Sequence, residues 1–489
     1  MPGHAGPTQI SASDAGVLTS RGRTYLYGGL FETLAHAAAR LSPLPLYETR
    51  HLLNALAGML GVFAAYKLGT LAGGKTTGIL CALFLVLTPR YYGHAFNNSK
   101  DIPFATGYLW SLYFIVRLLR ELPRPTIRAV LSTGAAIGLT LGVRITGLLL
   151  LAYLFLAATI ILIRLHRSGN DRLGVYLLLE QFTILCAVAY VTMFVFWPWA
   201  QAHPLGGPID AFSVFTAFAE EHFTVFGGVY VSSLEIPREY ALTWLSLTLP
   251  ETTAIGLAFL IAAIILRKRS DLAVRNLDLI GLLSLAALVP VLYVVLNRTP
   301  LYDGIRHLLF AVPPLAILAA LGTNSLYRTI RRPSVRRTLC TVTVMALGLT
   351  WAEMVRIHPY QSSYFNYVVA GTIDEAWLKY DSDYWQNSYK QGIAWIVDNY
   401  PTLKDRKVRV AGLFAAGVKY QLDSPITRPF TRGKNLTFTS PRYALANIAP
   451  SRANTCTPSR PGLPNCFISC DRTPVIRIAR SFSLIRSSM

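Results

Sequence analysis

Long apolar runs alternate with short polar connections over most of this 489-residue chain. About twenty apolar residues are enough to cross the hydrocarbon core of a bilayer. The runs of that kind, with few or no charges, are 52–71, 76–93, 102–119, 127–144, 145–163, 175–198, 250–266, 277–296, 304–323 and 338–355. The pattern predicts an all-α polytopic membrane protein with about ten membrane helices in residues 52–356.

Composition and charge agree with a membrane protein. Hydrophobic residues make up 53% of the chain and charged residues 15%, whereas about a quarter of a typical soluble domain is charged. The net charge of +21 would suit a nucleic-acid-binding protein, but the basic residues cluster in every second loop, which is typical of cytoplasmic loops. The clusters are Arg117, Arg120, Arg124 and Arg128; Arg164, Arg167 and Arg172; Arg267, Lys268, Arg269 and Arg275; and Arg328, Arg331, Arg332, Arg336 and Arg337. We therefore expect no nucleic-acid partner; contact of these residues with anionic membrane lipids is compatible with this topology.

Two polar segments flank the membrane helices, and the loop alternation puts both on the extracytoplasmic side. Residues 1–51 contain "YLYGGLFETLAHAAARL", an amphipathic stretch that predicts a helix on the outer membrane surface. Residues 357–489 combine a helical pattern, "SDYWQNSYKQGIAWIVDNY", with the strand-like runs "KVRVAGLF" and "PVIRIA", which predicts a small α/β domain. Asp381 and Asp383 in this domain could hold a metal ion, but we favour Asp383 as a helix N-cap.

The polar stretch "RYYGHAFNNSKDIPFATGY" interrupts the apolar pattern on the extracytoplasmic side. Asp101 stands at the first turn of a predicted helix, where a carboxylate can act simply as a cap. His94, Asn97, Asn98 and Lys100 crowd the same loop. Together these residues offer a carboxylate, a cation and several hydrogen-bond donors. They could bind a phosphate, an acceptor or a divalent metal ion beside a lipid-borne substrate.

A second outer cluster lies in "NRTPLYDGIRHLLFAVPPL". Asp303, Arg306 and His307 fall at i, i+3 and i+4, which would place them on one face of an outer helix end. Arg306 can chelate two phosphate oxygens with its planar fork; the alternative is an Asp303–Arg306 pair that only anchors the helix. Arg144 is another cation at outer membrane depth, for which interfacial snorkelling is the alternative interpretation.

Several of these stretches resemble one enzyme family. "PRYYGHAFNNSKDIPFA", "RTPLYDGIRHLLFAVPPLA", "HPYQSSYFNYVVAGTIDEAW" and "YDSDYWQNSYKQG" resemble bacterial members of the dolichyl-phosphate-mannose protein mannosyltransferase superfamily, whose relatives include the aminoarabinose transferases of lipid A. The resemblance implies a membrane fold of the GT-C type, a polyprenyl-phosphate-linked sugar donor and an active site on the extracytoplasmic face of the bacterial inner (plasma) membrane. Asp101 matches the family's acidic residue in the second outer loop, which the resemblance implies assists by contact with a metal ion or the acceptor.

The first acidic residue of the family, which follows its first membrane helix and is the usual catalytic base, has no counterpart in this chain. Glu32 follows the expected position rather than filling it. We therefore expect the natural protein to have one more membrane helix before residue 1, followed by an outer-loop acidic residue that supplies the base.

The leading hypothesis is a hexosyl or pentosyl transferase that moves a sugar from a polyprenyl phosphate to a hydroxyl of a glycan, lipid or protein. Asp101 is the candidate catalytic residue. The candidates for binding the donor phosphate are Lys100, Arg144, Arg306 and His307, and those for an acceptor or a divalent metal ion are His94, Asn97, Asn98 and Asp303. The alternatives are a transporter or flippase for a lipid-linked sugar, which would tend to carry ionisable groups at mid-membrane, and an inactive truncated paralogue.

The loop alternation makes a testable prediction about topology. Because the last basic cluster, 328–337, is expected inside, the chain after about residue 357 should lie outside the cytoplasm. A phosphatase that is active only outside the cytoplasm, fused to the carboxyl terminus, should therefore be active. An inactive phosphatase fusion together with a fluorescent cytoplasmic reporter fusion would overturn the topology.

Overall fold

The structure is a computed structural model of the 489-residue chain. It describes residues 25–167, 174–216, 221–266, 276–385, 387–388, 391, 408–411, 436–439 and 475–477. The chain divides into two compact units. The first comprises residues 1–224 and 230–362, and the second comprises residues 225–229 and 363–489.

Helices dominate the first unit. In chain order they are α1 (Leu30–Leu41), α2 (Leu46–Gly73), α3 (Lys75–Val86), α4 (Pro89–His94), α5 (Asp101–Arg120), α6 (Ile127–Leu141), α7 (Leu148–Arg167), α8 (Gly174–Val195), α9 (Pro198–Ala202), α10 (Gly206–Thr216), α11 (Tyr240–Thr248), α12 (Glu251–Leu266), α13 (Leu277–Asn297), α14 (Val312–Thr329) and α15 (Pro333–Arg356). Short 3-10 turns at Ile145–Gly147 and Arg306–Ala311 precede α7 and α14. Strands β1 (Phe223–Phe226) and β2 (Val229–Ser232) pair between α10 and α11.

The predicted all-α multi-pass membrane fold is confirmed, but the predicted number of about ten membrane helices is not. Among the described residues six helices are long and apolar enough to cross a membrane, or seven if the bent pair α11–α12 forms one span. Among the other apolar runs, α3 and α6 are short, with 12 and 15 residues. The bent pair turns by 107°, and the run 76–93 is divided between α3 and α4, since Pro89 starts a new helix. Hydropathy windows count apolar residues and do not detect such breaks.

Helix α14 lies at the centre of the packed helices, whereas α15 lies at their edge. The apolar window of α14 and its preceding turn is 100% buried, and that of α15 is 17% buried. Small residues allow α14 to approach α12 closely: a Cβ added at Gly322 would overlap the carbonyl oxygen of Gly256. Within a bilayer there is no hydrophobic driving force between helices, so they associate through close packing of this kind.

Three side chains from other helices and loops satisfy the carboxyl end of α2. Arg120 donates to the carbonyl of Leu71 at 3.0 Å, and Asn276 donates to that of Ala72 at 3.0 Å. Arg328 donates in the same way to the carbonyl of Gly73 at 2.9 Å. The last carbonyls of a helix have no partner within it, so these contacts fix the end of α2 against α5, α13 and α14.

The second unit contains the short helices α16 (Tyr367–Ala370) and α17 (Ile373–Lys379) and a three-stranded parallel sheet. The strands are β3 (Val408–Ala411), β4 (Leu436–Thr439) and β5 (Val475–Arg477), in the order β4-β3-β5. In this register Val410 lies opposite both Phe438 and Ile476. Two of these strands were predicted and β4 was not. Most of the helix predicted over 382–400 lies outside the described residues.

The α12–α14 contact generates a stability prediction. Gly322→Ala should lower the free energy of unfolding by about 1–3 kcal/mol, because the added methyl group overlaps the backbone of Gly256. Gly281→Ala on α13 is the matched control, since no atom lies within 4 Å of a Cβ there. This control should be neutral or stabilising by up to about 1 kcal/mol, as alanine favours helix. Equal thermal midpoints for the two purified variants in detergent would contradict the close contact.

Candidate active site

Helix α2 holds the polar loop that connects α4 to α5. The side-chain amide of Asn54, which is 1% exposed, donates to the carbonyls of His94 at 3.1 Å and Ala95 at 2.8 Å. Nδ1 of His51 forms a short hydrogen bond to the carbonyl of Phe96. The loop is therefore fixed by side chains of a long helix rather than only by its own turns.

The segment after α15 packs directly against the same loop. A Cβ added at Gly93 would overlap the backbone nitrogen of Ser362, so only glycine fits at this crossing. Gln361, which is 4% exposed, donates to the carbonyl of Met354 at 2.8 Å. The sequence "HPYQSS" was recognised in the family resemblance but was assigned no role at the site. In the structure its residues Gln361 and Ser362 pack against the loop at Gly93.

Asp101 is the first residue of α5 and is 3% exposed. Its Oδ1 lies 2.5 Å from Nη2 of Arg144, which precedes the turn Ile145–Gly147, and the two side chains form an ion pair. Its Oδ2 accepts a hydrogen bond from the side-chain amide of Asn98 at 2.5 Å. The backbone N–H of Asp101 donates in turn to Oδ1 of Asn98 at 2.9 Å. Asn98, and not Asp101, thus provides the capping oxygen at the start of α5.

A tyrosine that the sequence analysis missed lies against two of the candidate cations. The ring centroid of Tyr27 is 3.9 Å from Nζ of Lys100 and 5.5 Å from Cζ of Arg144. The negative face of an aromatic ring attracts cations at such distances, so Tyr27 stabilises two positive charges that would otherwise repel each other. Glu32 pairs with Arg50 at 2.7 Å.

The second predicted cluster forms by a different geometry from the one expected. Asp303 lies outside any helix, in the left-handed region with φ 57°, and the 3-10 turn begins only at Arg306. The expectation that Asp303, Arg306 and His307 share one helix face is therefore wrong, because Asp303 and Gly304 both take positive φ values. The ion pair still forms: Nη2 of Arg306 lies 3.6 Å from Oδ2 of Asp303 and 3.0 Å from Nε2 of His307.

Burial and nearby cations set the charge of the loop. Burial, with the positive charges of Arg90 and Arg306, lowers the pKa of His94 to about 3 although Asp101 opposes this shift. His94 is therefore neutral at physiological pH. Burial and Arg144 lower the pKa of Lys100, against the opposing effects of Asp101 and Glu32.

These described side chains carry more positive than negative charge. They interact either by direct ion pairing or through the shared neighbours His94 and Lys100; the cations are Arg50, Arg90, Lys100, Arg144 and Arg306, and the carboxylates are Glu32, Asp101 and Asp303. Five cations and three carboxylates leave an excess of two positive charges, which favours a bound dianion such as a phosphate monoester.

An apolar cavity of about 530 Å³ adjoins the cations. Arg144, Tyr27 and His307 form part of its wall. Most of the remaining lining is aliphatic or aromatic and comes from α7, α10, α13 and the segment before α14, and includes Leu149, Ala152, Phe212, Phe215, Val289, Val294, Leu301 and Phe310. A ligand with an apolar chain and an anionic end group would match this combination of surfaces.

The arrangement does not provide a metal centre among the described residues. No group of three or more His, Cys, Asp or Glu side chains is close enough there to hold a metal ion. Asp383 accepts hydrogen bonds from the backbone N–H groups of Asn387 at 3.0 Å and Ser388 at 2.9 Å. These groups lie four and five positions further on, whereas an N-cap accepts from the second or third helical residue.

The structure brings most of the predicted site residues together. His94, Asn98, Lys100, Asp101 and Arg144 form one contiguous network through hydrogen bonds, the ion pair and the Tyr27 ring. The exception in this loop is Asn97, whose amide donates to the carbonyl of Gly93 at 3.1 Å.

The comparison with family models agrees with the sequence resemblance. Residues 49–199 match the family model described as dolichyl-phosphate-mannose-protein mannosyltransferase. Among solved structures, the chain is similar to ArnT from Cupriavidus metallidurans in the apo state, with 16% identity over 82% of this chain and 75% of that chain and a TM-score of 0.46. It is also similar to ArnT from the same organism bound to undecaprenyl phosphate (14% identity, 82% and 75% covered, TM-score 0.40).

A further similar structure is the archaeal oligosaccharyltransferase AglB from Archaeoglobus fulgidus in complex with an inhibitory peptide and a dolichol-phosphate. It has 13% identity over 81% of this chain and 55% of that chain, and a TM-score of 0.39. No match is found among curated protein sequences. The segment that matches the dolichyl-phosphate-mannose-protein mannosyltransferase family model contains both Asp101 and Arg144.

Proposed function

We propose that this protein is a membrane glycosyltransferase that moves a hexose or pentose from a polyprenyl-phosphate donor to an acceptor hydroxyl. The observation that carries the proposal is the position of Asp101. Its buried carboxylate lies 2.5 Å from Arg144, and Arg144 also lines the 530 Å³ apolar cavity. A candidate base, a phosphate-binding cation and a site for a lipid chain thus occur together.

The donor is proposed to place its polyprenyl chain in the cavity and its phosphate against the cations. Apolar walls favour burial of the chain, and Arg144 and His307 in the same wall face the anionic end. Arg144 keeps donors available for the phosphate, because its Nε has no hydrogen-bond partner among the described residues. Similar structures in complex with undecaprenyl phosphate and with a dolichol-phosphate support this class of ligand.

The proposed reaction is a single displacement at the anomeric carbon of the sugar. The acceptor oxygen forms the new bond to this carbon while the bond to the phosphate oxygen breaks, and the electron pair leaves with the polyprenyl phosphate. On this proposal the carboxylate of Asp101, rather than the first acidic residue of the family, accepts the hydroxyl proton. The excess of two positive charges stabilises the departing dianion, and inversion at the anomeric carbon follows from the single displacement.

Donor binding would also change the contacts of Asp101. In the free protein its carboxylate forms an ion pair with Arg144, and on this proposal the bound phosphate shares that guanidinium. On this proposal the active face is the periplasmic face of the bacterial inner membrane, and the acceptor is a glycan, lipid or protein.

The proposal predicts that Asp101→Asn separates donor binding from transfer. The purified protein should release undecaprenyl phosphate from a radiolabelled sugar donor in the presence of an envelope extract. Asp101→Asn should reduce this rate about 100-fold or more, since the base is lost, yet bind undecaprenyl phosphate at least as tightly, since every cation remains. Asp210→Asn on α10, whose side chain is exposed, is the charge-matched control. Unchanged turnover in Asp101→Asn would remove Asp101 from the chemistry.

A second prediction concerns the donor phosphate. Arg306→Lys should weaken binding of undecaprenyl phosphate about tenfold, because an ammonium group cannot present the planar fork of two N–H donors. Arg298→Lys, an exposed position in the preceding turn, provides the matched control. Titration of the two detergent-purified variants with undecaprenyl phosphate measures the difference, and equal dissociation constants would show that Arg306 does not bind the phosphate.

A further inference from the structure

The side-chain amide of Asn98 forms hydrogen bonds to three neighbouring residues of the loop and α5. Its Oδ1 accepts from the backbone N–H groups of Asp101 at 2.9 Å and Lys100 at 3.3 Å. Its Nδ2 lies 2.5 Å from Oδ2 of Asp101 and 3.2 Å from Nδ1 of His94. An asparagine amide has two N–H donors and two acceptor lone pairs, and all four are used here.

These contacts determine the orientation of the amide. Only the oxygen of Asn98 can accept from two backbone N–H groups, and only its nitrogen can donate to the carboxylate of Asp101. The same nitrogen then donates to Nδ1 of His94. A neutral imidazole that accepts at Nδ1 carries its proton on Nε2, so Asn98 also selects the tautomer of His94.

We propose that Asn98 is the positioning residue of this site, holding Asp101 toward Arg144 and holding His94 in the tautomer protonated at Nε2. The proposal rests on the proposed function, because Asp101 is the base there. It replaces the earlier expectation that Asn98 binds an acceptor or a metal ion. Asn98 is 1% exposed and its polar atoms are all engaged within the loop and α5, so it acts through Asp101 rather than on a ligand.

Asn98→Asp tests the two N–H donors specifically. This substitution keeps the size of the side chain and the oxygen that accepts from the backbone. It replaces the donor nitrogen by an oxygen that faces two acceptors, Oδ2 of Asp101 and Nδ1 of His94. One proton must bind between the introduced carboxyl and these two acceptors to restore a hydrogen bond. The closeness of two carboxyl groups raises the pKa at which that proton is lost.

Other charged groups near Asn98, Asp101 and His94 also affect the pKa of the introduced carboxyl. Arg144 pairs with Asp101, and Lys100 lies next to it on the same loop. Arg90 and Arg306 act on His94 from α4 and from the turn before α14. All four are cations that favour the deprotonated carboxylates and therefore oppose the shift, so the shift is measured against a variant with the same added charge. Asn97→Asp is that control, because the amide of Asn97 donates to the carbonyl of Gly93 instead.

The experiment measures thermal midpoint and transfer rate for wild type, Asn98→Asp and Asn97→Asp between about pH 5 and about pH 8. Since the pKa of the introduced carboxyl is higher in the folded than in the unfolded protein, stability is retained at low pH and lost as pH rises. We expect the midpoint of Asn98→Asp to fall with pH relative to both other proteins. Its transfer rate should fall about 10- to 100-fold over the same range, as a charge-assisted hydrogen bond is lost.

Each outcome decides the proposal. If the midpoint of Asn98→Asp follows that of Asn97→Asp at every pH, the amide does not hold Asp101 and the proposal is wrong. If only the midpoint responds while the transfer rates stay parallel, Asn98 is structural and has no positioning role. If the wild type transfers no sugar from the labelled donor, the proposed function fails. The positioning role then fails with it, while the midpoints still show whether the contact exists.

Discussion

A carboxylate that is 3% exposed must be neutralised, and Arg144 does this for Asp101. The pair joins the start of α5 to the connection between α6 and α7, so it fixes two segments that are far apart in sequence. Because Arg144 also lines the apolar cavity and lies over Tyr27, this one guanidinium contacts the loop, the cavity and the amino-terminal segment. Removing either partner leaves an unpaired charge in a buried place.

Local patterns predicted the fold well where each element depends on its own residues. Every apolar run of the sequence overlaps a helix, and the two predicted strands of the second unit form. The predicted number of membrane crossings is not confirmed, since helix ends depend on single residues, as Pro89 shows, and on tertiary bends such as the one between α11 and α12. Strand β4 was missed because "LTFT" is short and reads as polar; its partner β3 decides its conformation.

The sequence predicted which residues belong to the candidate site better than it predicted the contacts between them. Clustering of polar residues in an apolar chain identified Asp101 and its neighbours, since such residues are costly there without a purpose. The sequence could not reveal that Arg144 pairs with Asp101, because 43 positions separate the two residues. Tyr27 was missed for a similar reason: an aromatic residue near the membrane is usually part of an interface belt. Its contact with two cations exists only in the folded chain.

The contrast between α14 and α15 has a consequence for how this chain can vary between species. Helix α14 is enclosed on all sides and touches α12 through backbone at Gly322, so substitutions there must preserve volume as well as polarity. Helix α15 is mostly uncovered, and a bilayer accepts any apolar side chain of any shape. Drift in α15 is therefore limited only by hydropathy. We expect α15 to accumulate substitutions faster than α14, although the two helices have similar mean hydropathy. The sequence of α14 should therefore stay similar between related proteins for longer.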